Sequence, residues 1–467
     1  MGKGLFCDSK EERQISVIEK GIMLFLLLIL FGILLLTAGV KAYPDTESYM
    51  MMSPTREPLY PLFLNMMSVL FGKYRDIAIG IFQNALAVIS VYLTAVFLGR
   101  RMKSAVVFYL TVVCMLLPYV ITPLFAASGL ILTNALLSEG LALSLYNLYF
   151  LFLVQVIWDE KAKKNATLSL LTALLLSLLR SQFLVTLIAW MVVMICLQLK
   201  EKVSLKRMMT VLVLFCCAVG VRQLCMNSYN LLANGKFVGT TYGPVTVLSN
   251  VIYVSDKTDG DAIKDDVART LFYEIYEEVK SENMLRVDAP EDFTGEASFF
   301  SHVHDEIKFS YIYPILEDYV ESENPSIGYM DKLVRIDALA SEMIKGALSS
   351  SLLSWLSHYF CNACVGFVRT VAYVHPVLNI LTLLGYVILI GMGIYNYYLY
   401  KDSPAGRFFL LTALLTMGNV FAVAITIMCL SRYMIYNMSL IYISAVLLLW
   451  EIFQKKKGKE TEGAMRK

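Results

Sequence analysis

The residues best suited to chemistry come early in the chain. The segment Tyr43-Pro44-Asp45-Thr46-Glu47-Ser48-Tyr49 sets two carboxylates two positions apart, and Arg56-Glu57-Pro58-Leu59-Tyr60-Pro61 follows it. On an extended backbone, side chains two apart share a side, so Asp45 and Glu47 are expected to face one polar group together. Carboxylate oxygens suit Mg²⁺ or Mn²⁺, and they suit equally the removal of a proton from a hydroxyl. Arg56 carries the planar fork that matches a phosphate. An ordinary solvated loop would carry the same charges.

Three later positions join this set. Glu139 opens an apolar run in Thr133-Asn134-Ala135-Leu136-Leu137-Ser138-Glu139-Gly140. An acid at bilayer mid-depth costs on the order of 2.5–3.5 kcal/mol, less near the interface, so an ionisable group there is a functional candidate. Arg180 interrupts a long apolar stretch at Leu178-Leu179-Arg180-Ser181-Gln182, and Arg432-Tyr433 lies between the last two apolar runs. Arg180 suits an anionic headgroup or the anchoring of a turn. Together these side chains offer acids for proton or metal work and arginines for a phosphate.

The histidines and cysteines carry weaker signals. His302-Val303-His304-Asp305-Glu306 would align two imidazoles on a strand for a metal, but no third histidine is near. Cys361 and Cys364 form a CxxC beside His358 with no second pair. A zinc site needs four ligands at characteristic spacing, so helix packing is the first reading and a disulfide or redox pair the second.

Such residues need a scaffold, and composition defines it. The 467 residues are 57% hydrophobic and 17% charged, with a mean hydropathy of +0.62, against about a quarter charged in soluble domains. A net charge of +2 gives no nucleic-acid footprint. Apolar runs at roughly 21–40, 76–99, 104–123, 135–157, 166–179, 182–199, 208–226, 375–399, 407–430 and 434–453 predict about ten membrane-spanning helices. The first is expected to be retained rather than cleaved, because a signal peptide has a shorter apolar core. Residues 166–199 as one helix would run about 50 Å, too long for a ~30 Å core, so two spans broken at Arg180 are expected, with one tilted helix as the alternative. Basic clusters at Arg100-Arg101, Lys163-Lys164, Lys206-Arg207 and the tail after residue 453 then share one side, the cytoplasmic one.

The organisation that follows is an all-α membrane protein of the cell membrane with both termini cytoplasmic. A transmembrane module, 1–226, carries an amphipathic outer loop at 41–75. A mostly helical extracytoplasmic cap, 227–374, shows helical spacing at 264–284 and 329–348. C-terminal spans, 375–453, precede a basic tail, 454–467. Asp45, Glu47, Arg56, Glu139, Arg180 and Arg432 all map to the outer side.

An acidic pair in the first outer loop followed by Arg56-Glu57-Pro58-Leu59-Tyr60-Pro61 resembles the C-type polytopic glycosyltransferases. More narrowly, it resembles their bacterial branch related to protein O-mannosyltransferases and lipid A aminoarabinose transferase. Ser138-Glu139 is similar to that family's second acidic site, Arg180 to the arginine after its fifth span, and Arg432-Tyr433 to its arginine-tyrosine before the last span. The likeness covers residues 20–226 and 375–453. It implies transfer of a sugar, with inversion, from a polyprenyl-phosphate donor to a lipid, glycan or protein acceptor on the outer face. Asp45 would serve as base or orient the acceptor. Glu47 and Glu139 would position the acceptor or hold a divalent cation, and Arg56, Arg180, Arg432 and Tyr433 would meet the lipid phosphate. The lone Glu at the second acidic position departs from the family pattern. Two alternatives stand beside this reading. One is a transporter or flippase of lipid-linked glycans. The other is a glycan ligase or polymerase, in which His302, His304 and Arg335 of the cap, with Tyr60, become the loop candidates.

Overall fold

A backbone placed in lipid must satisfy its own hydrogen bonds, and the helix is the only open-chain way to do so. The computed structural model describes residues 15–125, 130–158, 162–200 and 205–465. It is helical throughout, with no strand among the described residues and a single isolated bridge, Lys41 with Ala135. The chain opens with α1 (Val17–Ala38), α2 (Pro44–Met50), α3 (Leu59–Phe71), α4 (Arg75–Arg101), α5 (Ala105–Phe125), α6 (Glu139–Ile157), α7 (Ala162–Leu179), α8 (Leu184–Lys200) and α9 (Leu205–Asn234). Then come α10 (Gly243–Val254), α11 (Asp266–Ser281), α12 (Phe293–Glu306), α13 (Tyr313–Glu323) and α14 (Tyr329–Val371). The chain closes with α15 (Pro376–Tyr400), α16 (Pro404–Ala424), α17 (Ser431–Met434) and α18 (Met438–Met465).

Eight helical stretches are long and apolar enough to cross a membrane. Helices fall on all ten expected runs, but α5 and α7 are not among those eight. α7 opens on Ala162-Lys163-Lys164-Asn165, which lowers its hydropathy. Boundaries shift for local reasons. α1 starts before the apolar run because Ser16 and Glu19 form a capping box, Ser16 Oγ accepting from Glu19 N at 3.1 Å and Glu19 Oε2 from Ser16 N at 2.8 Å. Residues 166–199 form two helices, as expected. Their antiparallel packing is fixed by Trp190 Nε1 donating to Ala166 O at 3.1 Å and by Thr186 Oγ1 donating to Ala173 O at 3.4 Å.

The segment 41–75, expected as an amphipathic loop, is largely helical. α3 turns back along α4 through Gly72, whose φ of +51° is one that glycine adopts at low cost. Tyr60 Oη donates to Gln83 Oε1 at 3.2 Å, and the Phe63 and Phe82 rings sit 5.3 Å apart.

One core fills the helix bundle, and its outward faces on α1, α9 and α15 are rows of bare apolar side chains such as Phe25, Leu224 and Leu384. Such faces suit lipid. A second core, around Leu248, Phe272, Ile307 and Met343, belongs to α10–α14. α14 joins the two regions without a break: Met343 packs in the second core, while Ala363 and Val365 pack with Val420 and Cys429. At one end of the bundle the basic residues gather. Lys200 Nζ meets Asp402 at 2.5 Å, Arg407 Nη1 donates to Ile157 O at 2.8 Å, and Lys455 Nζ to Leu399 O at 2.6 Å.

Candidate functional site

At the opposite end of the bundle, an extended stretch ahead of α6 is stitched to the loop after α1. Lys41 N donates to Asn134 O and Leu136 N to Lys41 O, both at 2.9 Å, and Thr46 Oγ1 donates to Leu136 O at 3.0 Å. From below, Gln83 Nε2 donates to Thr133 O and Ala135 O, each at 3.0 Å, and Asn84 Nδ2 donates to Asn134 Oδ1 at 3.0 Å. Gly140 lets this happen, since a Cβ there would stand 2.6 Å from the Gln83 amide. The stitching starts α6 four residues later than the apolar run suggests and fixes Ser138 and Glu139 at its first turn.

Around that turn, residues distant in sequence converge. Arg180, in the α7–α8 turn, meets Glu139 Oε1 at 2.6 Å; the side chains are 16% and 2% exposed, so this ion pair is withdrawn from water. Arg180 Nη1 also reaches Ser138 Oγ at 3.3 Å, and Tyr49 Oη shares Ser138 Oγ at 3.1 Å. Asp45 takes Arg56 Nη2 on Oδ1 at 2.8 Å and Arg432 Nη1 on Oδ2 at 3.1 Å. Arg56 is steadied by Ser48 Oγ at 2.8 Å and by the Tyr49 ring 4.7 Å below its guanidinium. Tyr433 carries two guanidiniums over its ring, Arg180 at 4.8 Å and Arg432 at 4.9 Å. Gln182 and Asn419 donate to Tyr433 O at 3.3 and 3.1 Å and hold α17 in place.

The electrostatics favour an anion. Three guanidiniums face two carboxylates, leaving one surplus positive charge, and Arg432 Nε has no hydrogen-bond partner. Burial works to raise the pKa of Asp45, but Arg56 and Arg432 outweigh it and hold the carboxyl below the usual aspartate range.

Several expected groupings do not form. The segment with Asp45 and Glu47 is helical, not extended, so the two carboxylates diverge, and Glu47 is exposed. With both Asp45 oxygens on arginines and Glu139 on Arg180, the acids do not converge on a cation. No group of three or more His, Cys, Asp or Glu side chains among the described residues is placed to hold a metal. Tyr60 is fully buried against Gln83 and supports α3 rather than facing a substrate. His302 and His304 lie on helix α12, not a strand, so His302 points to solvent while His304 is buried. His304 packs against Phe300 with His358, at ring distances of 5.4 and 4.3 Å, beside a small cavity lined by Glu296, Ser301 and Asn362. Arg335 pairs with Glu323 at 3.5 Å within the cap. Cys361 and Cys364 are free thiols on α14.

Sequence reasoning missed Tyr49, Ser48 and Glu57, which accepts from Ser181 N at 2.9 Å and so ties the loop to the α7–α8 turn. The tyrosine following the acidic pair by a helical step was the available signal. Comparison with family models, with curated proteins and with solved structures returns no match.

Proposed function

We propose that this chain is a multi-pass membrane glycosyltransferase that moves a sugar from a polyprenyl-phosphate donor to a hydroxyl acceptor on the outer face. In this reading it crosses the membrane ten times with both termini cytoplasmic. The observation that carries it is the convergence of Asp45, Arg56, Glu139, Arg180 and Arg432, from four separate segments, at the bundle end opposite the basic clusters. A transporter would be expected to place such residues at mid-depth around broken helices.

A surplus of one positive charge suits a phosphodiester, which carries one negative charge. Arg56 and Arg432 both have Asp45 as counter-ion. When a phosphate takes the place of Asp45 on these guanidiniums, Asp45 loses the partners that hold its pKa down and becomes a better base. The acceptor oxygen then bonds to the anomeric carbon as the carbon–oxygen bond to phosphate breaks. The acceptor proton passes to Asp45, and the phosphate leaves with a second negative charge that the arginines stabilise. Glu139 keeps Arg180 oriented on the Tyr433 ring. The side chains present do not fit a divalent cation, and no step runs through one.

The test is sugar release from a panel of polyprenyl-phosphate donors by the full chain in nanodiscs, with Asp45→Asn alongside and with or without EDTA. Wild type is expected to release sugar with EDTA making no difference, and Asp45→Asn to lose about 10²-fold or more. Equal turnover by Asp45→Asn removes the base from the mechanism.

A further inference from the structure

One buried charge of the cap has no part in the cluster described so far. α12 runs directly into a π-helical stretch, Ile307–Ile312, before α13 begins. Such widened turns are rare and concentrate at functional sites, because they redirect side chains that a regular helix would send elsewhere. Lys308 lies in this one. Its side chain is 8% exposed, its ammonium donates to Asp305 Oδ1 at 2.8 Å, and it sits 4.1 Å over the Phe309 ring. A buried ammonium is costly unless well paired, and its single carboxylate partner is itself 44% exposed.

The position of this turn supplies a reason. Thr241 N donates to Pro54 O at 3.1 Å, tying the start of the cap to the loop that carries Arg56. Tyr242 follows, and its ring stacks on Phe309 at 6.0 Å. Tyr242 holds a left-handed φ of +81°, fixed by its N–H on both carboxylate oxygens of Asp337 at 2.9 and 3.1 Å. The π-helical stretch is thereby braced on the loop, and Lys308 is close enough to interact with the charges of both Asp45 and Arg56.

We propose that Lys308 is a phosphate ligand of the site, brought to it by the cap, with Asp305 as the counter-ion that holds the ammonium until a phosphate arrives. This rests on the reading of the cluster as a phosphate site. The ligand chemistry is a phosphate group with free anionic oxygens, whether on a lipid or in solution, beside Arg56.

The test measures affinity of the full chain in nanodiscs for a polyprenyl phosphate, and separately for inorganic phosphate, in wild type, Lys308→Met and Lys308→Arg. Methionine keeps the stem, and the half-exposed Asp305 keeps its contact with His304 Nδ1 at 3.2 Å, so the variant is expected to fold with a melting temperature near wild type. Lys308→Met is expected to weaken both ligands by about tenfold to a hundredfold, the range for a charge-assisted hydrogen bond, while Lys308→Arg stays within a few-fold. Unchanged affinity in Lys308→Met overturns the assignment and leaves the cluster intact. A loss confined to the lipid ligand also overturns it, since the lysine would then touch the chain and not the phosphate. No binding by wild type overturns the phosphate reading itself.

Discussion

The Glu139–Arg180 pair makes a prediction that needs no assumption about function. At 2.6 Å and almost out of water, the two charges attract by about 6 kcal/mol at an effective dielectric near 20, and most of this offsets the loss of hydration. What remains visible is asymmetry. Glu139→Gln keeps the volume and an acceptor oxygen but strands a guanidinium whose other contacts are Ser138 Oγ at 3.3 Å and the Tyr433 ring. Arg180→Gln strands a buried carboxylate. Each single change is expected to cost about 3 kcal/mol. The double variant carries neither charge and is expected to cost about 3 kcal/mol rather than about 6, a coupling of about 3 kcal/mol. Thermal unfolding of the four proteins in one detergent measures the cycle. Two single losses under about 0.5 kcal/mol that simply add would refute the buried pair.

Two further outcomes follow from the same local physics. Gly140→Ala should lose about 2 kcal/mol, because its Cβ displaces the Gln83 amide from the Thr133 and Ala135 carbonyls. That outweighs the roughly 1 kcal/mol alanine brings to a helix, and a melting curve at or above wild type would contradict it. Burial raises Asp337 from 3.8 to about 6. The folded state therefore binds more protons than the unfolded one between about pH 4 and 6. Stability should rise as pH falls through 6 and level off below 4, by up to roughly 3 kcal/mol. Asp337→Asn should flatten that slope, and an unchanged pH profile of melting temperature would exclude Asp337 as its source.

How far the fold was legible depended on what each feature rests upon. Helix positions rest on runs of apolar residues, which are local, and each expected run became a helix whose start lies within four residues of it. The late start of α6 came from Gln83 and Asn84, whose amides act on a segment some fifty positions away and leave no local mark. Arg56, Arg180, Arg432, Asp45 and Glu139 were legible because charge beside apolar runs is conspicuous. Glu47 was misread because Pro44 at the first position of a helix and Thr46, which accepts from Tyr43 N at 2.8 Å, initiate α2 where an extended strand was assumed. His302 and His304 failed in the same way, since spacing of two means one face on a strand and two faces on a helix. Lys308 was illegible because a π-helical turn has no sequence signature.

α14 has a mechanical consequence. Its 43 residues make a rod of about 65 Å, rooted in the cap at one end and against α16 and the Arg432 loop at the other, where Asn362 Nδ2 donates to Ala424 O and Ile427 O and its Oδ1 accepts from Cys429 N. A rod turns angle into travel. A tilt of about 5° about one end carries the other through roughly 6 Å, more than a turn's rise of 5.4 Å. Extended backbone at Gly328 and Ala372 bounds the rod. A displacement at the cap end would therefore reach the strand of chain that carries Arg432 as leverage rather than as charge.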